Sequence, residues 1–191
     1  PIEKNGDQWM SKQLARRVKP FLLRRTKDEV LQDLPSKSEF IRSVEMDEAQ
    51  SKLYESIRIS MEKRVRDAIA KNGLSRSHIT ILDALLKLRQ VCCDPRLVKL
   101  PQAQKVKHSA KLALLMDMLP EMLEEGRKVL LFSQFTSMLA LIEPELKKHG
   151  IAYSKLTGKT QNREQVVDAF KSGESNLFLI SLKAGGLGLN L

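Results

Sequence analysis

Three short apolar runs alternate with helix-length stretches through the second half of the chain, and no other feature restricts the fold as much. The runs are residues 129–132, 152–156 and 177–181. Before and between them lie helical periods: Leu112, Leu115, Met116 and Leu119, then residues 136–149, then residues 162–171 with Val166, Val167 and Phe170 apolar. Gly126 and Gly150 stand where helix ends belong, while Pro120 and Pro144 fall inside helical periods and conflict with them locally. Strands alternating with helices of about 10–15 residues predict a parallel sheet with right-handed crossovers. The run 129–132, between Lys128 and Ser133, reads as a strand buried on both faces. In such a sheet ligands sit beyond the carboxyl ends of the strands. The polar and glycine-rich residues fall there: Ser133-Gln134, Thr157-Gly158-Lys159-Thr160, and the stretch from Ser181 to Asn190. Leu191 follows directly, so a three-stranded sheet keeps an exposed edge, as expected of a piece of something larger.

The first 107 residues read differently. Up to about Pro35 the chain is basic and irregular: Arg16, Arg17, Lys19, Arg24, Arg25 and Lys27 surround Phe21-Leu22-Leu23, and Pro20 breaks any helix there. Residues 33–37 read as a turn. Phe40, Arg42 and Val44 then alternate with Ile41, Ser43 and Glu45 as in a short strand. A long helix capped by Asp47 follows, with Ala49, Leu53, Ile57, Met61, Val65 and Ile69 at spacing four and an end at Asn72-Gly73. Ser77 is placed to cap a second helix through Cys92, which Asp94-Pro95 stops. Charge follows the same division: residues 1–107 hold 23 basic and 14 acidic side chains, residues 108–191 only 10 and 9. Most of the net +10 therefore lies in the first region, 1–107, and little in the second, 108–191. That excess fits contact with a polyanion, or a solvated lysine- and arginine-rich helical surface.

Several function classes drop out. Aromatic residues make up 5% of the chain, which argues against single-strand binding by base stacking alone. No apolar run approaches the ~20 residues of a membrane span, and Pro1-Ile2-Glu3-Lys4 begins no signal peptide. Cys92 and Cys93 are adjacent, so they suit a buried pair of small thiols in a reducing compartment rather than a disulfide framework or a paired metal site. His78, His108 and His149 share no ligand spacing, and no metal site is expected. Gly158-Lys159-Thr160 looks like the end of a phosphate-binding P-loop, but Tyr153 occupies the position of the earlier glycine. A helix following Thr160 could still offer backbone amides to a phosphate, with Lys159 adding charge. Gly185-Gly186-Leu187-Gly188 does not complete a dinucleotide fingerprint, because Leu191 stands where its last glycine belongs. These glycines suit close approach of an anion or a tight turn with positive φ, and Lys183 beside them favours phosphate contact.

The residues also carry a resemblance. Residues 129–139, Val-Leu-Leu-Phe-Ser-Gln-Phe-Thr-Ser-Met-Leu, resemble motif IV of the Swi/Snf-type ATPases, a chromatin-remodelling branch of the superfamily-two helicases. Leu156-Thr157-Gly158-Lys159-Thr160 with Asn162-Arg163 resembles motif IVa, and residues 180–191 resemble motif V. Residues 20–27 and 88–95 resemble two stretches of the region between the family's lobes. Cys93-Asp94 and Thr157 depart from the usual pattern, and Pro1-Ile2-Glu3-Lys4 is similar to bacterial members. The resemblance implies an α/β fold: residues 1–107 as a mainly helical inter-lobe region, and residues 108–191 as a partial RecA-like parallel sheet flanked by helices, the second lobe of a P-loop NTPase. It implies an intact parent that is a monomeric, ATP-driven double-stranded DNA translocase, in the nucleoid if bacterial and the nucleus if eukaryotic. Its other partner is the first RecA-like lobe, which would supply the Walker A lysine and hold Mg2+. Ser133, Gln134, Gly158, Lys159, Thr160, Ser181 and Lys183 are the implied contacts to the nucleic-acid backbone. Gly186, Gly188 and Asn190 are the implied wall of the nucleotide cleft. No catalytic residue and no cofactor bound by these 191 residues alone are expected, since hydrolysis needs a phosphate cradle, a metal and a transition-state arginine together. Two alternatives remain open: a non-catalytic nucleic-acid-binding or regulatory module, and the second lobe of an RNA helicase.

Overall fold

A computed structural model describes residues 6–24, 37–186 and 189. The chain divides into two compact units, Pro1–Arg42 and Ser43–Leu191. In the first, helix α1 spans Gln8–Val18, and the Asp7 carboxylate caps it by accepting the Met10 N–H at 3.0 Å. Arg16 and Arg17 fill its last turn, where cations favour the helix dipole. This helix corrects the irregular reading of that stretch. Pro20 acts only past the end of α1, placing Lys19–Phe21 in a tight 3-10 turn. Arg25, Lys27 and the expected turn up to Ser36 lie outside the described residues.

The expected strand at 40–44 is not formed. Phe40 is 85% and Ile41 94% exposed, and the segment pairs with no sheet. Alternation alone does not make a strand, because the backbone N–H and C=O groups also need a ladder to join.

In the second unit, α2 (Glu48–Asn72) and α3 (His78–Cys93) form a helical hairpin. Asp47 caps α2 as expected, accepting the Gln50 N–H at 2.7 Å. Gly73 closes it with φ +74°, a conformation open chiefly to glycine. Leu53, Ile57 and Met61 bury the first half of the stripe against Ala84 and Val91 of α3. Ser77 holds the N-cap position of α3, but its side chain makes no capping bond. Its hydroxyl instead donates back to the Gly73 carbonyl at 2.7 Å. A buried polar joint ties the hairpin to the rest. Gln50, with no exposed surface, donates to the Val91 carbonyl at 2.8 Å and accepts the Ala110 N–H at 3.2 Å. The Ser109 hydroxyl donates to the Cys93 carbonyl at 2.8 Å, and Asp94 is buried against Arg96. The short helix α4 (Pro101–Lys105) precedes α5 (Ala110–Glu124), which Ser109 caps.

Beyond α5 the elements are β1 (Val129–Ser133), α6 (Thr136–Lys148), β2 (Tyr153–Leu156), α7 (Arg163–Ser172), β3 (Leu177–Ser181) and the four-residue α8 (Leu182–Gly185). The strands are parallel in the order β1-β3-β2, so the last strand is central. Val129 to Ser133 pair with Leu177 to Ser181, and Tyr153 to Leu156 with Leu177 to Ile180. α5 and α6 cover one face, through Leu112, Leu119, Leu139, Ile142 and Leu146 against Leu177 and Leu179. α7 covers the other, through Phe170 against Leu156, Phe178 and Ile180.

All of β3 is buried, but β1 is not covered on both faces as expected. Leu130 and Phe132 share the face of their partners Phe178 and Ile180, which α7 covers only towards β2, and they remain 40% and 48% exposed. Pro120 and Pro144 sit inside continuous helices. For Pro144 the carbonyl left without its N–H partner belongs to Ala140, an exposed residue that water can reach. Cys92 and Cys93 are half-buried rather than buried.

A candidate nucleic-acid interface at the carboxyl edge

Parallel strands end on one side, so three loops distant in sequence meet at a single edge of the sheet. In sheet order they are 133–135 after β1, the turn of α8 after β3, and 157–162 after β2. Ser133 lies directly opposite Ser181 in the register. The edge thus gathers Ser133, Gln134, Gly158, Lys159, Thr160, Ser181, Lys183 and Gly186. Gly188 and Asn190 lie outside the described residues.

Each loop is shaped from within. Ser133 Oγ accepts the Phe135 N–H at 3.2 Å and donates to the Phe135 carbonyl at 3.1 Å, turning the chain into α6. Gln134 is exposed, and its Oε1 accepts from Arg89 of α3. In the loop after β2, Thr160 Oγ1 accepts the Thr157 N–H at 3.0 Å and Thr157 Oγ1 accepts the Lys159 N–H at 3.3 Å. A β-carbon on Gly158 would meet nothing within 4 Å, so no neighbour in the fold requires a glycine there. The Asn162 side chain does not cap α7.

After β3 the backbone forms α8 rather than an open glycine loop. Gly185 has no need of positive φ. Its β-carbon would lie 2.9 Å from the Phe132 ring and 3.1 Å from Ile180, so the glycine is there to let the turn pack. Ser181 is buried, whereas Lys159 and Lys183 are exposed and pair with no carboxylate among the described residues.

Two arginines were not singled out by the sequence as parts of the edge. Arg89 reaches Gln134 across 45 positions, a separation that no local spacing reveals. Arg163, inside a recognised motif but without an assigned role, donates from Nη2 to the Ala184 carbonyl at 2.8 Å. Between α3 and the end of β1 lies an open groove of about 910 Å3, lined by Leu85, Arg89, Cys92, Phe132, Gln134 and Leu182 among others. Burial pushes the Cys92 thiol up against the opposing charge of Lys111, so the group stays protonated at neutral pH and is a poor nucleophile. Among the described residues no cluster of histidine, cysteine, aspartate and glutamate suits a metal ion, and no helix is long and apolar enough to cross a membrane. The described part of the edge therefore offers positive charge and hydrogen-bond donors.

Known proteins share this chain's sequence and fold. Residues 1–97 match the SNF2-related domain and residues 110–191 the helicase conserved C-terminal domain. An uncharacterized ATP-dependent helicase of Mycoplasma genitalium is 35% identical over 99% of the chain. The mouse SWI/SNF-related matrix-associated actin-dependent regulator of chromatin, subfamily A member 1, is 33% identical over 97%. The chain spans only 18% of the length of each of these relatives. Among solved structures, the SWI2/SNF2 ATPase core domain of Sulfolobus solfataricus matches the whole chain with TM-score 0.68 and 28% identity, over 40% of its own length. The C-terminal domain of the same ATPase matches 74% of the chain, over 62% of its own length, with TM-score 0.61 and 28% identity.

Proposed function

The chain belongs to the SNF2-related family of helicase-like ATPases, and from that premise we propose that it is part of an ATP-driven double-stranded DNA translocase. Residues 108–191 form the first part of the second RecA-like lobe, and residues 1–107 the basic region between the lobes. The observation that carries the reading is the carboxyl edge, where Lys159 and Lys183 stand exposed on neighbouring strand-end loops without carboxylate partners among the described residues. Gly158, Lys159 and Thr160 grip one backbone phosphate, Lys183 bears on another with the buried Ser181 beneath it, and Ser133 and Gln134 line the approach. Such contacts ignore base sequence and weaken steeply with salt.

The nucleotide is shared with a first lobe. Gly186 is the described residue assigned to the wall of its cleft, with Gly188 and Asn190 assigned there by the resemblance alone, while the Walker A lysine and the Mg2+ ligands belong to that other lobe. The described residues lack an acidic cluster fit for Mg2+, so no step of hydrolysis is assigned to them. The whole protein works where its DNA is, in the nucleoid of a bacterium or the nucleus of a eukaryote.

The test is duplex binding by the chain across a range of salt concentrations. Affinity falls linearly on a log–log plot, independently of sequence, and the pair Lys159→Ala with Lys183→Ala lowers the slope by about 2. An unchanged slope removes both lysines from the interface. In the whole protein duplex DNA stimulates ATP hydrolysis more than RNA does; the opposite preference would favour the second lobe of an RNA helicase.

A further inference from the structure

Arg163 occupies an unusual place. It is the first residue of α7, where the helix dipole is positive and a cation is disfavoured. Half-buried, it spends a charged donor on a neutral acceptor, the Ala184 carbonyl at 2.8 Å. That carbonyl belongs to α8, the four-residue turn that carries Lys183. The same turn is held from the opposite side, since Gly185 packs so closely on Phe132 of β1 that a β-carbon would come within 2.9 Å of the ring. Arg163 also closes the loop that carries Lys159, whose shape Thr157 and Thr160 set from within. The residue that follows the Lys159 loop therefore ties it, through one guanidinium, to the turn that bears Lys183.

We propose that Arg163 is a positioning residue that locks the Lys159 loop to the Lys183 turn, so that both ammonium groups meet one nucleic-acid backbone in fixed register. This rests on the DNA reading above, but it assigns Arg163 no phosphate of its own. The alternative, direct contact of Arg163 with phosphate, differs in one measurable respect. A side chain that neutralises a phosphate contributes about 0.9 to the salt slope of binding, whereas one that only aligns other cations contributes affinity and no slope.

The experiment uses the whole protein that contains this chain and compares wild type, Arg163→Ala, Arg163→Gln and the double variant Lys159→Ala/Lys183→Ala. Duplex binding is followed against salt, and ATP hydrolysis against duplex concentration. Arg163→Ala raises the duplex concentration for half-maximal stimulation about tenfold, the effect of one charge-assisted hydrogen bond. Its salt slope and its rate at saturating duplex stay at the wild-type level. Arg163→Gln keeps a donor without the charge, and it recovers most of the loss with the same slope. Hydrogen exchange at the Gly186 amide, which bonds to the Leu182 carbonyl at 3.1 Å, is faster in Arg163→Ala and near wild type in Arg163→Gln.

A slope lowered by about 0.9 in either variant overturns the proposal in favour of direct contact. So does wild-type affinity in Arg163→Ala, or a loss confined to the saturated rate. Should Arg163→Ala fail to fold, Arg163→Gln decides alone: near-normal affinity with a normal slope supports positioning, and a lowered slope or a tenfold loss overturns it. If the double lysine variant keeps the wild-type slope, the DNA reading itself fails. If it loses slope while Arg163→Ala binds normally, only the positioning role fails.

Discussion

Gly185 has no room for a β-carbon. In Gly185→Ala the Phe132 ring or the α8 turn must shift, at a cost of about 1–3 kcal/mol. The half-exposed ring can give way, so Phe132→Ala in the same chain recovers part of that loss. A double-mutant cycle on denaturant midpoints reads the coupling, and additive losses would show that the ring is not the obstacle. The sequence flagged this glycine for the wrong reason. A glycine cluster beside a lysine suggested a left-handed turn or an anion cradle, whereas the demand comes from a residue 53 positions earlier. Long-range sterics of this kind leave no local pattern. The same holds for the bond from Arg89 to Gln134, which joins a helix to a strand end and appears only once both are folded.

In the second half of the chain periodicity did specify the elements. The alternation of helices and apolar runs in 109–181 became three parallel strands and their helices, because a helix-length segment between strands can return the chain only by crossing a sheet face. The joints between elements were less visible. Gln50 stands beside the apolar stripe and drew no expectation from the sequence, yet it closes the joint of α2, α3 and α5 without any exposed surface. Gln50→Ala leaves a carbonyl and an amide unpaired, and is expected to cost about 2–4 kcal/mol in urea unfolding. A loss below about 0.5 kcal/mol would mean that water replaces both bonds.

Glu143 of α6 is held to β2 in a similar way. It accepts from the Tyr153 hydroxyl at 3.0 Å and pairs with Lys155 at 2.6 Å. Burial pushes its carboxyl up, but the hydrogen bonds from Lys155 and Tyr153 outweigh that and hold it below its ordinary value of 4.5. A depressed carboxyl binds its proton less readily folded than unfolded. Its contribution is complete above about pH 4.5 and is lost as the pH falls below that value. Glu143→Gln is therefore expected to lower stability by about 1 kcal/mol at neutral pH and to weaken its decline in acid. Parallel acid limbs in the two proteins would exclude this linkage.

At the scale of the molecule, charge and machinery are separated. The excess of basic residues lies in 1–107, while the nearly neutral second region has Lys159, Arg163 and Lys183 at the carboxyl edge of its sheet. Counting charge left a polyanion partner and a solvated basic surface equally open; the parallel pattern already put Lys159 and Lys183 at one edge, and the strand order makes their loops neighbours. The isolated chain is expected to hydrolyse no ATP above background, with or without duplex DNA, because positioning, metal and transition-state charge must act together. Measurable turnover by the pure chain would overturn that expectation. The order β1-β3-β2 also governs how the molecule comes into being. A ribosome releases β1 and β2 before β3, the strand with which each pairs among the described residues. Until residues 177–181 emerge, two sticky strands wait without a template, while the α2–α3 hairpin is free to form early from nearer contacts. Nascent chains paused before β3 should therefore be the form that needs chaperones most.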